Sequence, residues 1–187
     1  MSKGRLFVIS GASGVGKSTV LSRVMAARAD LKFSVSATTR SPRPGETDGV
    51  SYYFVSKEQF EEMIRQDAFL EYDAHMDNYY GTPEKQVDEK LESGSVILDI
   101  DPNGAFNVKK KRSDAVLIFI APPSSEELER RLRGRGDTSE EQMQLRLQRA
   151  RWEMEQSKKY DYIVTNSRVE TCAEEILHII ANACGEE

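Results

Sequence analysis

The chain has 187 residues, 39% hydrophobic and 30% charged with both signs interspersed, which argues against a disordered chain and provides for one sizeable core. A formal net charge of -5 argues against a protein that coats a nucleic-acid polymer through a basic face. A small anionic substrate remains compatible, because a few local arginines can dominate a cleft.

The first predicted element is the short apolar run Leu6 to Ile9, a buried strand. That run, preceded by Lys3 and Arg5, is too short for a signal peptide, and no stretch approaches a membrane span. "GASGVGKS" follows, matching G-x-x-x-x-G-K-[ST] through Gly11, Gly16, Lys17 and Ser18. Val20, Leu21, Val24 and Met25 then recur at helical spacing. Glycines let a backbone turn its N–H groups onto phosphate oxygens, and the helix N-terminus adds a positive dipole end. Lys17 reaches the β and γ phosphates, and the Ser18 hydroxyl can ligate Mg²⁺. A glycine-rich turn with an exposed lysine is the plainer alternative, and strand before with helix after favours a nucleoside triphosphate site. The loop alone fits a switch GTPase, a motor ATPase and a kinase equally.

From Ser34 to Ser93 the texture changes to a strand-rich insertion. "FSVSAT" alternates, "SYYFV" is β-prone, and "SKEQFEEMIRQ" carries a capping box in Ser56 and Gln59. "AFLEYDAH" and "NYYGT" flank a polar turn as a hairpin would. "TPEKQVDEKLESG" predicts a helix with Pro83 at its start and Gly94 at its end. Three later apolar runs, "SVILDI", "AVLIFIA" and "YDYIVT", read as parallel core strands, giving an α/β sheet with helical crossovers. Between the last two lies an arginine-rich segment predicted as two helices broken at "GRGD", with capping boxes at Ser124 and Glu127 and at Thr138 and Glu141. Gly134 and Gly136 suit a hinge there. Cys172 and Cys184 fall in the last helical pattern, twelve residues and therefore about 18 Å apart, too far for a disulfide. A reduced, cytoplasmic protein is the expectation.

"GASGVGKST", "SATTRSPRPGE", "YYF", "NYYGT", "LDID", "APPS", "RLRGRG" and "YDYIVTN" occur in this order. As an ordered set they make the chain resemble the guanylate kinase family from the P-loop to Asn166. The resemblance implies a P-loop NTPase-type parallel sheet flanked by helices, carrying a strand-rich GMP-binding insertion and a helical lid. Its segments would be a core at 1–33, the insertion at 34–93, core at 94–123, lid at 124–158 and core at 159–187. The implied reaction is phosphoryl transfer from ATP to GMP with Mg²⁺, without nucleic acid or membrane partners.

Matching motifs imply that ATP meets Gly11, Ala12, Ser13, Gly14, Val15, Gly16, Lys17, Ser18 and Thr19, with Asn166 beside the adenine. Arg40, Arg43, Tyr52 and Tyr80 would hold the GMP phosphate. Two guanidinium forks and two phenols suit that task, and Pro42 and Pro44 stiffen the loop. Ser36, Glu71 and Thr82 would read guanine, whose N1–H and 2-amino donors match one carboxylate. Each has a plainer alternative: Ser36 as an outward strand residue, Glu71 as an exposed carboxylate, Thr82 as a helix N-cap. Asp99 would lie near GMP and the metal, with Asp101 structural, and Arg135 and Arg146 of the lid would close on ATP. Two rivals differ in class. A regulatory GTPase would leave the second phosphate site idle, and a non-catalytic binding module needs no intact P-loop, which this chain retains.

Overall fold

The computed structural model describes residues 4–75, 77–134 and 139–186. Its first strand, β1 (Leu6–Gly11), is buried on both faces along nearly its whole length, as befits the middle of a parallel sheet. Helix α1 (Lys17–Ala27) starts at once after Gly16, whose φ of 92° is a left-handed conformation that glycine adopts without steric cost. Two short strands follow, β2 (Lys32–Phe33) and β3 (Ala37–Thr38), so the alternating "FSVSAT" is divided between them rather than forming one strand. Next come β4 (Tyr53–Phe54) and α2 (Lys57–Arg65), which has the expected capping box. The Ser56 hydroxyl accepts from Gln59 N at 3.1 Å, and Gln59 Oε1 accepts from Ser56 N at 2.8 Å.

The hairpin is present as β5 (Phe69–His75) and β6 (Asn78–Pro83), antiparallel from Glu71 opposite Thr82 to His75 opposite Asn78. Helix α3 (Glu84–Leu91) is capped by Pro83 rather than Thr82, since Thr82 is a buried strand residue with its hydroxyl engaged elsewhere. Strand β7 (Val96–Asp99) leads to α4 (Pro102–Lys111), with Asp101 as N-cap and proline in the first turn, where the missing N–H costs nothing. Strand β8 (Val116–Ala121) precedes α5 (Ser125–Arg133), and α6 (Glu140–Gln156) follows. Ser124 caps α5 by accepting from Glu127 N at 3.1 Å, but the Glu127 carboxylate turns to Arg130 and Arg131, so the reciprocal half of the box is missing. Thr138, expected to cap α6, lies outside the described residues, as does Gly136; the cap of α6 is Ser139, accepting from Gln142 N at 3.3 Å. A single 3₁₀ turn, Ser157–Lys159, leads to β9 (Tyr162–Thr165) and α7 (Val169–Cys184). Both cysteines are free in α7.

Five strands form a wholly parallel sheet in the order β2-β7-β1-β8-β9. The chain leaves β1 through α1 for the edge strand β2 and later crosses from β7 through α4 to β8 on the other side of β1, so the carboxyl end of β1 opens into a crevice. The P-loop occupies that point. A second sheet, β4-β3-β6-β5, has its own small core in which Phe60 stacks on Phe69 at 4.4 Å and on Tyr79 at 5.2 Å. Leu70 departs from that face and joins the main core, at a register irregularity between Phe69 and Glu71. The irregularity leaves Glu71 and Asp73 two residues apart on one side of β5, with Tyr72 exposed.

Candidate active site

The phosphate loop is shaped by bonds that its own sequence does not contain. Gly14 and Gly16 both have positive φ, at 83° and 92°. The carbonyl of Val15 accepts from Asn166 Nδ2 at 2.8 Å and from Arg131 Nη1 at 3.1 Å. Arg131 also donates to the Asn166 carbonyl at 3.2 Å, and Glu127 fixes its Nε at 2.7 Å. With that carbonyl occupied by two donors, the loop is held in one conformation from behind. Asn166 is thus a buried brace of the P-loop, and it also lines a cavity of about 380 Å³ with Gly14, Gly16, Thr19, Arg130 and Arg131.

On the other side of the loop, Ser13 borders a second cavity of about 420 Å³. Ser36, Tyr52, Glu71, Tyr80 and Asp99 line it as well, so five side chains named from the sequence meet in one place. Thr82 stands behind Glu71, and its hydroxyl donates to Glu71 Oε1 at 2.5 Å. The carboxylate is 8% exposed. Burial pushes its pKa up to about 7, an effect that the Thr82 hydroxyl opposes and the nearby Asp101 and Asp73 reinforce. Gly104 of α4 makes room for this group: a Cβ there would stand 2.9 Å from Glu71 Oε2.

Arg40 does not line the cavity but rests against its Tyr52 wall, 5.4 Å from the ring centroid. Its guanidinium makes a bidentate pair with Glu46, at 2.9 and 3.0 Å, which holds its pKa above the usual arginine range. Glu46 Oε2 also accepts from the Arg43 backbone N–H at 2.7 Å. One carboxylate therefore ties the two arginines into a single loop conformation. The Arg43 side chain itself is exposed. The rings of Tyr52 and Tyr80 meet edge to face at 6.1 Å.

Lys17 Nζ bonds Asp99 Oδ1 across the crevice, linking the start of α1 to the end of β7. Ser18 and Asp99 together border a further cavity of about 410 Å³. Asp101 has the structural part expected of it, accepting from Gly104 N at 2.9 Å as the α4 cap. Its other oxygen accepts from Arg149 Nη2 at 3.0 Å. Arg146 is exposed on α6, and Arg135 lies outside the described residues.

Sequence reasoning missed Glu153, Glu46 and Asp73, and did not single out Arg131 or Arg149 within the arginine-rich segment. One of them left a signal. Met143, Leu147, Ala150 and Met154 mark the inward stripe of α6, and Glu153 is an acid on its edge, only 5% exposed. A carboxylate at such a position needs a partner, and Glu153 has two: Ser13 N at 2.8 Å and Arg149 Nε at 3.1 Å.

A family profile described as Guanylate kinase matches residues 3–183. The guanylate kinase of Neisseria gonorrhoeae is 50% identical over 183 residues, 97% of this chain and 89% of that protein. A guanylate kinase of Thermus thermophilus is 48% identical over 179 residues, 95% of this chain and 81% of its own length. Among solved structures, guanylate kinase from Anaplasma phagocytophilum superposes with a TM-score of 0.77 at 33% identity, covering 97% of this chain and 86% of that one.

Proposed function

The chain belongs to the guanylate kinase family and transfers the terminal phosphoryl group of ATP to GMP, giving ADP and GDP; on that premise we propose which residues receive each substrate. The observation that carries the proposal is that one phosphate loop borders both cavities, Gly14 to Gly16 on one side and Ser13 on the other. ATP lies along residues 11–19, its base toward Asn166, and GMP fills the cavity between the two sheets. Residues 34–93 then act as the acceptor unit and 124–158 as the lid.

Lys17 faces the β and γ phosphates and gives up Asp99 to do so. Arg40 and Arg43 neutralise the GMP phosphate together with the Tyr52 and Tyr80 hydroxyls, and Glu46 keeps the two arginines from collapsing apart. Arg135 and Arg146 come onto ATP as the lid closes. Guanine donates N1–H and its 2-amino group to Glu71, with the Ser36 and Thr82 hydroxyls serving its remaining edge. No covalent intermediate is needed: aligning donor with acceptor and excluding water account for catalysis of this kind.

Phosphoryl transfer from ATP is generally Mg²⁺-dependent. Among the described residues no group of three or more His, Cys, Asp or Glu side chains could cage a metal ion. The hydroxyl of Ser18 and the carboxylate of Asp99 are instead the sparse oxygen set that suits an ion held mostly by nucleotide phosphates and water. Ser18 would ligate it and Asp99 would hold its waters. When bound, the ion neutralises charge on the phosphate oxygens. Among the described residues no helix is long and apolar enough to cross a membrane, and the two free cysteines suit the reduced, cytoplasmic setting that we propose.

Base recognition gives the decisive test. Adenine presents a lone pair at N1 and lacks the 2-amino group, so it would leave the buried Glu71 carboxylate facing an acceptor. IMP keeps N1–H alone, so kcat/KM should rank GMP above IMP above AMP. Glu71→Ala and Glu71→Gln should each reduce kcat/KM for GMP by about 10²-fold or more while leaving ATP binding intact. An unchanged GMP-to-AMP ratio in Glu71→Ala would remove Glu71 from the guanine site.

A further inference from the structure

The acceptor cavity has an electrostatic problem. Among the described residues lining it, Glu71, Asp73, Asp99 and Asp101 are carboxylates and Arg149 is the one cation. GMP must nevertheless bring a phosphate of nearly two negative charges into it. Arg40 rests outside the cavity against its Tyr52 wall, and Lys17 is paired with Asp99, which leaves Arg149 as the cation that borders the cavity itself.

The guanidinium of Arg149 is held at two of its three nitrogens. Nε donates to Glu153 Oε1 at 3.1 Å and Nη2 to Asp101 Oδ2 at 3.0 Å. Nη1 has no hydrogen-bond partner among the described residues. Glu153 is in turn anchored, because its second oxygen accepts from Ser13 N of the phosphate loop at 2.8 Å. A planar fork fixed in this manner is preorganised and loses little freedom on gaining a third bond. It stands where the donor loop and the acceptor cavity adjoin.

From this arrangement we propose that Arg149 is a further catalytic residue, contacting the phosphoryl group in flight between ATP and GMP. The inference rests on the cavity being the GMP site. In the transfer, the bond from the γ phosphorus to the β–γ bridging oxygen breaks, and its electron pair leaves with ADP. An oxygen of the GMP phosphate forms the new bond to that phosphorus. Charge spreads over the three equatorial oxygens of the transferring group, and a guanidinium N–H directed at them stabilises that state more than either ground state. Asp101 and Glu153 hold the cation in place and limit its pull on the products.

The competing explanation is that Arg149 merely neutralises the buried Glu153. Single-turnover transfer rates, steady-state constants and melting temperatures of Arg149→Met, Arg149→Lys and the double variant Arg149→Met with Glu153→Gln separate the two. We expect Arg149→Met to slow the transfer step about 10²-fold with KM for ATP within about twofold, and Arg149→Lys to recover part of the rate. Exogenous guanidinium ion, at sub-denaturing concentration, should partly rescue Arg149→Met. The double variant removes the unpaired carboxylate yet should remain as slow as Arg149→Met. A double variant restored to near wild-type rate, or a transfer rate in Arg149→Met within twofold of wild type, overturns the proposal. Glu71→Gln measured in parallel reports on the cavity independently. If it impairs GMP use while Arg149→Met does not, the role of Arg149 fails and the acceptor site stands.

Discussion

Glu71 is a carboxylate kept where its charged form is disfavoured, so the guanine-reading role proposed for it would be sensitive to pH. The charged form must be present to accept two N–H groups from the base, and its pKa is raised by burial to about 7. KM for GMP should therefore rise as pH falls below 7, approaching a tenfold rise per unit, and level off above it. Stability runs in the opposite sense. The folded-state pKa lies above the ordinary value of 4.5, so Glu71 favours the folded state most below pH 4.5, and that contribution, at most ~3 kcal/mol, disappears as pH rises from 4.5 through 7. KM profiles for wild type and Glu71→Gln test the binding half, because the variant leaves only the GMP phosphate to titrate. A wild-type profile parallel to that of Glu71→Gln would rule out this pH dependence. Glu71 and its neighbours also show what a sequence exposes. The motif marks Glu71 as a candidate base reader, but its burial is not legible there, since Thr82 lies across the hairpin and Gly104 on another helix.

At the level of elements, the small sheet depends on few side chains, of which Phe60 is fully buried between Phe69 and Tyr79. Phe60→Ala should cost ~3–5 kcal/mol locally, because so small a core cannot collapse around the cavity. The expected result is a large loss of GMP affinity with ATP affinity nearly unchanged, measured by calorimetry with each nucleotide alone. Equal loss of both would mean that the two sheets do not unfold separately. Most elements were readable from period and caps: the P-loop between strand and helix, the capping box of α2, and the hairpin. The arginine-rich pair of helices was read least well. Arg146 matches the family motif and lies exposed on α6; Arg149 is exposed there too, but pairs with Glu153, which meets the phosphate loop. Choosing between them needs the rotation of α6 about its axis, which many arginines on one helix leave undetermined.

Across the whole molecule, the cavities flank one loop, and substrates on both sides should draw the acceptor unit and the lid toward it. Small-angle scattering should show a smaller radius of gyration with GMP and a non-hydrolysable ATP analogue together than with neither. No compaction with both bound would count against a mobile lid. The bonds that hold the loop carry a different consequence, one for the order of folding. Lys17 is met by Asp99, Ser13 by Glu153 and Val15 by Asn166, contacts that span 82, 140 and 151 residues of chain. Closing such long loops is slow, and none of these partners exists while the chain is still being made up to residue 98. During synthesis the loop therefore emerges before all three partners and is locked only after Asn166 has followed. A nascent chain would carry the full phosphate-binding sequence long before it could hold a nucleotide. By mass action ATP would then stabilise finished molecules alone, making nucleotide binding a sign that folding is complete.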